Sequence, residues 1–344
     1  MDWWRIVKEF SMPRTRIRVV VLSLVAIVFH LTGLAQAQKD ARAAAEVKEI
    51  SKAVGKPMYF SESKHFTFCT SVPVAKAKVF SKAAEKAFDL WTKHVGTDNW
   101  RSLWAPRKCM IVILTDKKAY RKYLRWYSKK YPVWDAKEFI RVHNKSNWFP
   151  EPGTRNVIVT HLKPHKEGFV VSIVVHLVGH MIVDRYKFNN NFTPGWLRES
   201  TGMWFETQTL GTIQCSCYQS AYAALKPDDD RRKPMSKSKL RARVKAAVLK
   251  GTTPPMAGLI KRSALSELTF ADTLKGYAVV DWMMSQPKKY ASFLRKMKRA
   301  WPSDIVPQNL PAKEKAQIRA FQQVFGVSLP ELDKTVKEYV EQSF

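Results

Sequence analysis

Apolar positions along this chain fall into two kinds of run, and the short ones come first. His65-Phe66-Thr67-Phe68-Cys69-Thr70 alternates and predicts the first strand. Cys109–Thr115 is continuously apolar, as a buried strand is, and Asn156–Thr160 predicts a third. Between them, Ala75 to His94 places Phe80, Ala84 and Phe88 on one helical stripe with Val79, Ala83, Ala87 and Trp91 beside it, and Gly96 is a natural stop. Ala119–Lys129 also reads as a helix. Val133–Pro152, aromatic and turn-rich, is expected to loop over a cleft.

Longer apolar runs follow. Phe169–Val183 is apolar on nearly every face, the signature of a buried helix. A second helix is expected with Thr193 as N-cap and Pro194 as its first residue, continuing through Met203-Trp204-Phe205. Lys226–Lys245, in which Asp228–Asp230 precede Arg231, Arg232 and Lys233, reads as a solvated loop leading into a basic helix. Thr252-Thr253-Pro254-Pro255 breaks the chain, and Asp272–Gln286, Tyr290–Trp301 and Ala312–Phe325 return to helical spacing. Ser328-Leu329-Pro330-Glu331 is a capping box for a terminal helix. Strands first and helices after predict an α+β fold.

The first 37 residues do not belong to that pattern. Arg14, Arg16 and Arg18 precede the sixteen apolar-rich residues Val19–Leu34, and Ala35-Gln36-Ala37 supplies a small-residue cleavage site. This predicts an exported protein, periplasmic or extracellular, with no stable membrane span after cleavage; an uncleaved N-terminal anchor is the alternative, though sixteen residues is short for a span. Residues 38–58 are polar and Ala/Lys-rich, a linker or loose helix, which leaves 59–344 as the folded domain.

Composition adds a charge field. The chain has 344 residues, 45% hydrophobic, enough for a sizeable core. Its 59 Lys+Arg stand against 29 Asp+Glu, a net +30, of which residues 1–37 carry only +3. Such a field favours polyanions: anionic envelope polymers, lipid headgroups or nucleic acid. The basic residues are dispersed and accompany no nucleic-acid-binding motif, so specific nucleic-acid binding is not expected. The four cysteines, Cys69, Cys109, Cys215 and Cys217, allow three disulfide connectivities. Cys69 and Cys109 equally suit buried thiols in strands; Cys215-x-Cys217 offers a thiolate metal site as a weak alternative, since C-x-C is not the usual zinc spacing.

The candidate chemistry lies between Phe169 and Gly211. His176 and His180 are four apart, so their imidazoles share a helix face one turn apart. Glu199 follows eighteen intervening residues later. Two His and one Glu with a fourth position open is the ligand set of a catalytic zinc ion. The usual motif, H-E-x-x-H, puts the general base directly after the first His, and here that position is Leu177.

At these residues the chain resembles the peptidase-MA-like gluzincin metallopeptidases, whose pattern is H-E-x-x-H, about eighteen residues, then P-x-W-L-x-E-G-x-A-x-Y-F-E. The corresponding stretches read His176-Leu-Val-Gly-His180 and Pro194-Gly-Trp-Leu-Arg-Glu199-Ser-Thr-Gly-Met-Trp-Phe-Glu206. The match covers both ligand helices, with weaker similarity over roughly residues 60–340. It implies a zincin-like fold, a Zn2+ ion on His176, His180 and Glu199, and a peptide or protein ligand paired along a sheet edge at Val157–Thr160. The departures are Leu177 for Glu and Ser200 for Gly. The first predicts an inactive or weakly active peptidase homologue; an active metallopeptidase with a substitute base, and a basic polyanion-binding protein on a metal-free scaffold, are the alternatives. Substitute bases to consider are Glu206, Glu167, His161 and His165. Glu206, two turns from Glu199, reads as structural. Tyr277 could steady an oxyanion but fits core packing better, and Asp184 could back a ligand imidazole or pair with Arg185 or Lys187.

Overall fold

The computed structural model of the chain describes residues 43–96, 103–104, 107–131, 135–146, 148–151, 156–163, 165–186, 193–214, 217, 234–262, 264–300 and 310–344. The segment 1–37, Cys215 and the charged run Asp228–Lys233 lie outside them. Residues 43–54, within the stretch 38–58 expected as a linker or loose helix, are helical (α1). The chain divides into two compact units, Met1–Ile50 and Ser51–Phe344, and the second holds the sheet and every helix after α1.

Five strands form one sheet: β1 (Tyr59–Glu62), β2 (Phe66–Thr70), β3 (Cys109–Asp116), β4 (Phe149–Glu151) and β5 (Val157–Lys163), in the order β1-β2-β3-β5-β4. The three inner strands are parallel; β1 and β4 close the edges antiparallel. Parallel neighbours require crossovers. Helix α2 (Val74–His94) therefore separates β2 from β3, while α3 (Lys117–Lys130) and α4 (Ala136–Ser146) separate β3 from β5. Strands and helices thus alternate in this half rather than running strands first. Residues Cys109–Leu114 of β3 are buried throughout, as a strand covered on both faces is. The fold is α+β, with a small mixed sheet and a helical remainder.

Four expectations change. The first strand is Tyr59–Glu62, a half-polar edge strand, and Phe66–Thr70 is the second. Val79 is 38% exposed, so the buried stripe of α2 is Ala77, Phe80, Ala83, Ala84, Ala87, Phe88 and Trp91. Val133–Pro152 holds α4 and β4 rather than only a loop: Asp135 Oδ1 accepts from the Glu138 amide, and Phe139 packs against Tyr127 and Phe149 at ring distances of 5.8 and 5.3 Å. Phe139, Trp148 and Phe149 serve packing between elements. Finally, Val157–Thr160 is not a free edge. Phe149, Pro150 and Glu151 pair with Val159, Ile158 and Val157, so a peptide cannot add to the sheet there. Pro150, which lacks an amide hydrogen, suits the edge position it occupies.

Beyond the sheet come α5 (Glu167–Arg185) and α6 (Gly195–Leu210), then a two-stranded ribbon of β6 (Thr212–Ile213) and β7 (Met235–Ser236). Helices α7 (Lys237–Leu249), α8 (Met256–Leu259), α9 (Phe270–Met284), α10 (Pro287–Ala300), α11 (Leu310–Phe325) and α12 (Leu329–Ser343) complete the chain. The capping box expected at Ser328 and Glu331 opens α12. Among the described residues, α5 alone is long and apolar enough to cross a membrane, but it is buried from Phe169 to Arg185 save for half-buried Val171, which makes it the central core helix. Cys69 and Cys109 are free, buried thiols in β2 and β3; burial pushes the Cys69 pKa up to about 12.

Candidate metal centre

The site exists because α5 and α6 approach more closely than side chains normally permit. Gly179 and Gly202 face each other at the crossing: a Cβ added to Gly179 would lie 3.1 Å from the Gly202 Cα. A Cβ on Gly202 would lie 2.7 Å from His176 Nε2, so the imidazole fills the space that a side chain on α6 would need. Helix α6 begins one residue later than expected, with Pro194 as N-cap. Asp184 fixes that start. Its Oδ1 accepts from the Thr193 amide and hydroxyl at 2.9 and 2.6 Å, and Oδ2 pairs with Arg198 Nε at 2.9 Å. Asp184 therefore joins the two ligand helices through Thr193 and Arg198, contacts that neither expectation for it named; Lys187 lies outside the described residues. Ser200, the second departure from the family pattern, is fitted by glycine on the opposing helix: a Cβ on Gly276 of α9 would collide with the Ser200 hydroxyl.

The three expected ligands come together. His176, His180 and Glu199 are completely buried, and Glu199 Oε2 lies 3.4 Å from His176 Nε2 and 3.7 Å from His180 Nε2. A fourth donor, Cys217, joins them, and the ligand atoms of all four lie within 4.8 Å of one another. Neither ring nitrogen of His180 has a hydrogen-bond partner among the described residues. A buried imidazole with both nitrogens unsatisfied is costly, and a shared cation removes that cost. The residues therefore fit a metal ion. Burial opposes charging His176, but the Cys217 sulfur and Glu199 carboxylate raise its pKa well above the ordinary value; burial, with His176 and Arg198 nearby, holds His180 well below it.

Outer contacts orient these groups. Glu206 Oε2 lies 3.1 Å from His176 Nδ1, and its Oε1 accepts from the Gln214 amide at 2.7 Å. A carboxylate on one imidazole nitrogen leaves the other facing the centre, the usual support for a metal-bound histidine. The Cys217 amide donates to Glu199 Oε1 at 2.9 Å, and the Trp148 indole N–H donates to Cys217 Sγ at 3.3 Å.

The remaining candidates stand elsewhere. Leu177 is buried in the apolar core. Tyr277 is buried, meets Thr207 Oγ1 through its hydroxyl at 3.2 Å, and has its pKa raised to about 12 by burial. Glu167 is exposed in the first turn of α5. His161 lies in β5 with its Nδ1 2.8 Å from the Lys163 carbonyl oxygen, and its ring lies tilted against His165 at 5.1 Å. The sequence reading offered Cys217 only as half of a weak Cys215-x-Cys217 site, not beside His176, His180 and Glu199, and missed Trp148 and the orienting role of Glu206. Only Glu206 left a local signal: seven residues after Glu199, it shares the α6 face that meets α5. No protein-family model matches this chain, and no curated protein sequence matches it.

Proposed function

We propose that this chain is an exported, zinc-binding protein of zincin-like, peptidase-MA-like type in which efficient hydrolysis has been lost, and that it acts by binding a peptide or protein rather than by turnover. The observation that supports this most is the convergence of buried His176, His180 and Glu199 with leucine at position 177, where a base would stand. Zinc held by these three residues alone, with a fourth position open, would polarise a carbonyl and lower the pKa of bound water. A positioned base adds roughly 10²–10⁴-fold, and each substitute is engaged or displaced. Glu206 backs His176, Glu167 is exposed, His161 is held at the Lys163 carbonyl, and the His165 ring packs between those of His161 and Phe169 at 5.1 and 4.8 Å, while Tyr277, the oxyanion candidate, meets Thr207. Incubating the unmodified protein at high concentration with a peptide library should give trace chelator-sensitive cleavage at most. Rapid chelator-sensitive turnover would instead support an active metallopeptidase with another base.

A second reading, binding to an anionic envelope polymer, is favoured by one face of α3. That helix, KKAYRKYLRWYSKK, has seven basic residues and no acidic one. Lys118, Arg121, Arg125 and Lys129 are exposed and recur at helical spacing, so their charges form a stripe along the helix. Binding to dextran sulfate should fall steeply with salt, weaken in Arg121→Glu/Arg125→Glu, and be unchanged in His176→Ala. Equal binding by the double variant would remove this surface from the account.

A further inference from the structure

We infer that Cys217 is the fourth metal ligand, and that two histidines, a glutamate and a cysteine make a closed centre of structural type with no position left for water or substrate. The inference rests on the zinc-binding reading above and narrows it. Structural zinc sites are four-coordinate and closed, whereas catalytic ones keep an open position. Here four donors from α5, α6 and the segment after β6 already lie within 4.8 Å of one another.

Three features show that Cys217 is held there by more than proximity. Its amide donates to Glu199 Oε1, so the cysteine and the carboxylate are fixed as a pair. Its sulfur accepts from the Trp148 indole, the contact expected of an electron-rich thiolate. Trp148 itself is buried, 5% exposed, with its ring 6.3 Å from Phe169 of α5, so the donor to the sulfur is fixed in the core beside the ligand helix. Coordination replaces the thiol proton with the metal, and that proton is released on binding. A thiolate with two imidazoles and one carboxylate selects zinc, or cobalt in its place, over magnesium or calcium, which prefer oxygen ligands. The metal then pins residue 217 to the two ligand helices, and the centre stabilises this region instead of performing hydrolysis.

Cobalt(II) substitution tests this without reference to activity. The full-length protein, purified, stripped and reloaded with Co2+, should bind one equivalent and show an intense sulfur-to-cobalt charge-transfer band in the near ultraviolet. Cys217→Ala should lose the band, and its metal affinity should fall by more than the ~10–100-fold that loss of an outer partner costs. Cys217→Ser, which keeps the volume, should lose the band too, and circular dichroism of both variants checks that they fold. Cobalt bound without the band, or a band that persists in folded Cys217→Ala, would overturn the role of Cys217 and leave the three-ligand reading standing. No bound metal at all would overturn both.

Discussion

Gly202→Ala should abolish tight metal binding, although alanine is the better helix former. In an open helix interior the change would gain about 1 kcal/mol. At this position the new methyl would sit 2.7 Å from His176 Nε2, 2.8 Å from Cε1 and 2.9 Å from Cδ2. The ring cannot retreat freely, because Nδ1 is fixed on Glu206 and the helix behind it is buried. Overpacking of this kind costs about 1–3 kcal/mol, and a displaced ligand should lower metal affinity by at least ~100-fold. Gly168→Ala, at the exposed start of α5 with nothing within 4 Å of the added carbon, is the control and should be neutral or slightly stabilising. Isothermal titration with Zn2+ and thermal melts of both variants measure the difference. Unchanged zinc affinity in Gly202→Ala would show that the helix crossing does not hold His176 in place.

Lys298→Met should be strongly destabilising despite the removal of a buried charge. From α10, the Lys298 ammonium donates to the carbonyls of Val183, Asp184 (2.9 Å) and Tyr186 (2.8 Å), the unpaired acceptors at the end of α5. Burial pushes its pKa down to about 7, with Asp184 opposing and Arg185 adding to the shift. Methionine fills the same channel and donates nothing, leaving three buried carbonyls short of a partner. At roughly 1 kcal/mol or more for each, the loss is about 3 kcal/mol, a fall of roughly 4 °C in melting midpoint for a chain of this size. Denaturant unfolding checks the figure. A change below about 1 kcal/mol would mean that water takes over these carbonyls.

The two ligand histidines and Glu199 were legible because their information is local. An i, i+4 pair on an apolar helix and an acid in the opening turns of the next helix are both set by helix geometry. Cys217 was not legible, because its place depends on how the chain returns to the site after α6 and β6, a tertiary matter that C-x-C spacing does not encode. The same divide runs through the sheet. Cys109–Asp116 was readable from an apolar run, whereas Tyr59–Glu62 and Phe149–Glu151 are short edge strands with mixed burial. Missing β4 is what made Val157–Thr160 look like an open edge. Aromatic density over Val133–Pro152 suited a cleft loop as well as it suited packing, and only the contacts of Phe139 and Trp148 distinguish the two.

The most direct test of the central claim is the metal content of the purified full-length protein, never exposed to chelator, beside a Glu199→Ala control. Buried donors converging on one point, with both His180 nitrogens unsatisfied, predict about one zinc per chain, lost or greatly reduced in the control. Folded protein carrying no zinc, or zinc retained in full by Glu199→Ala, would contradict it.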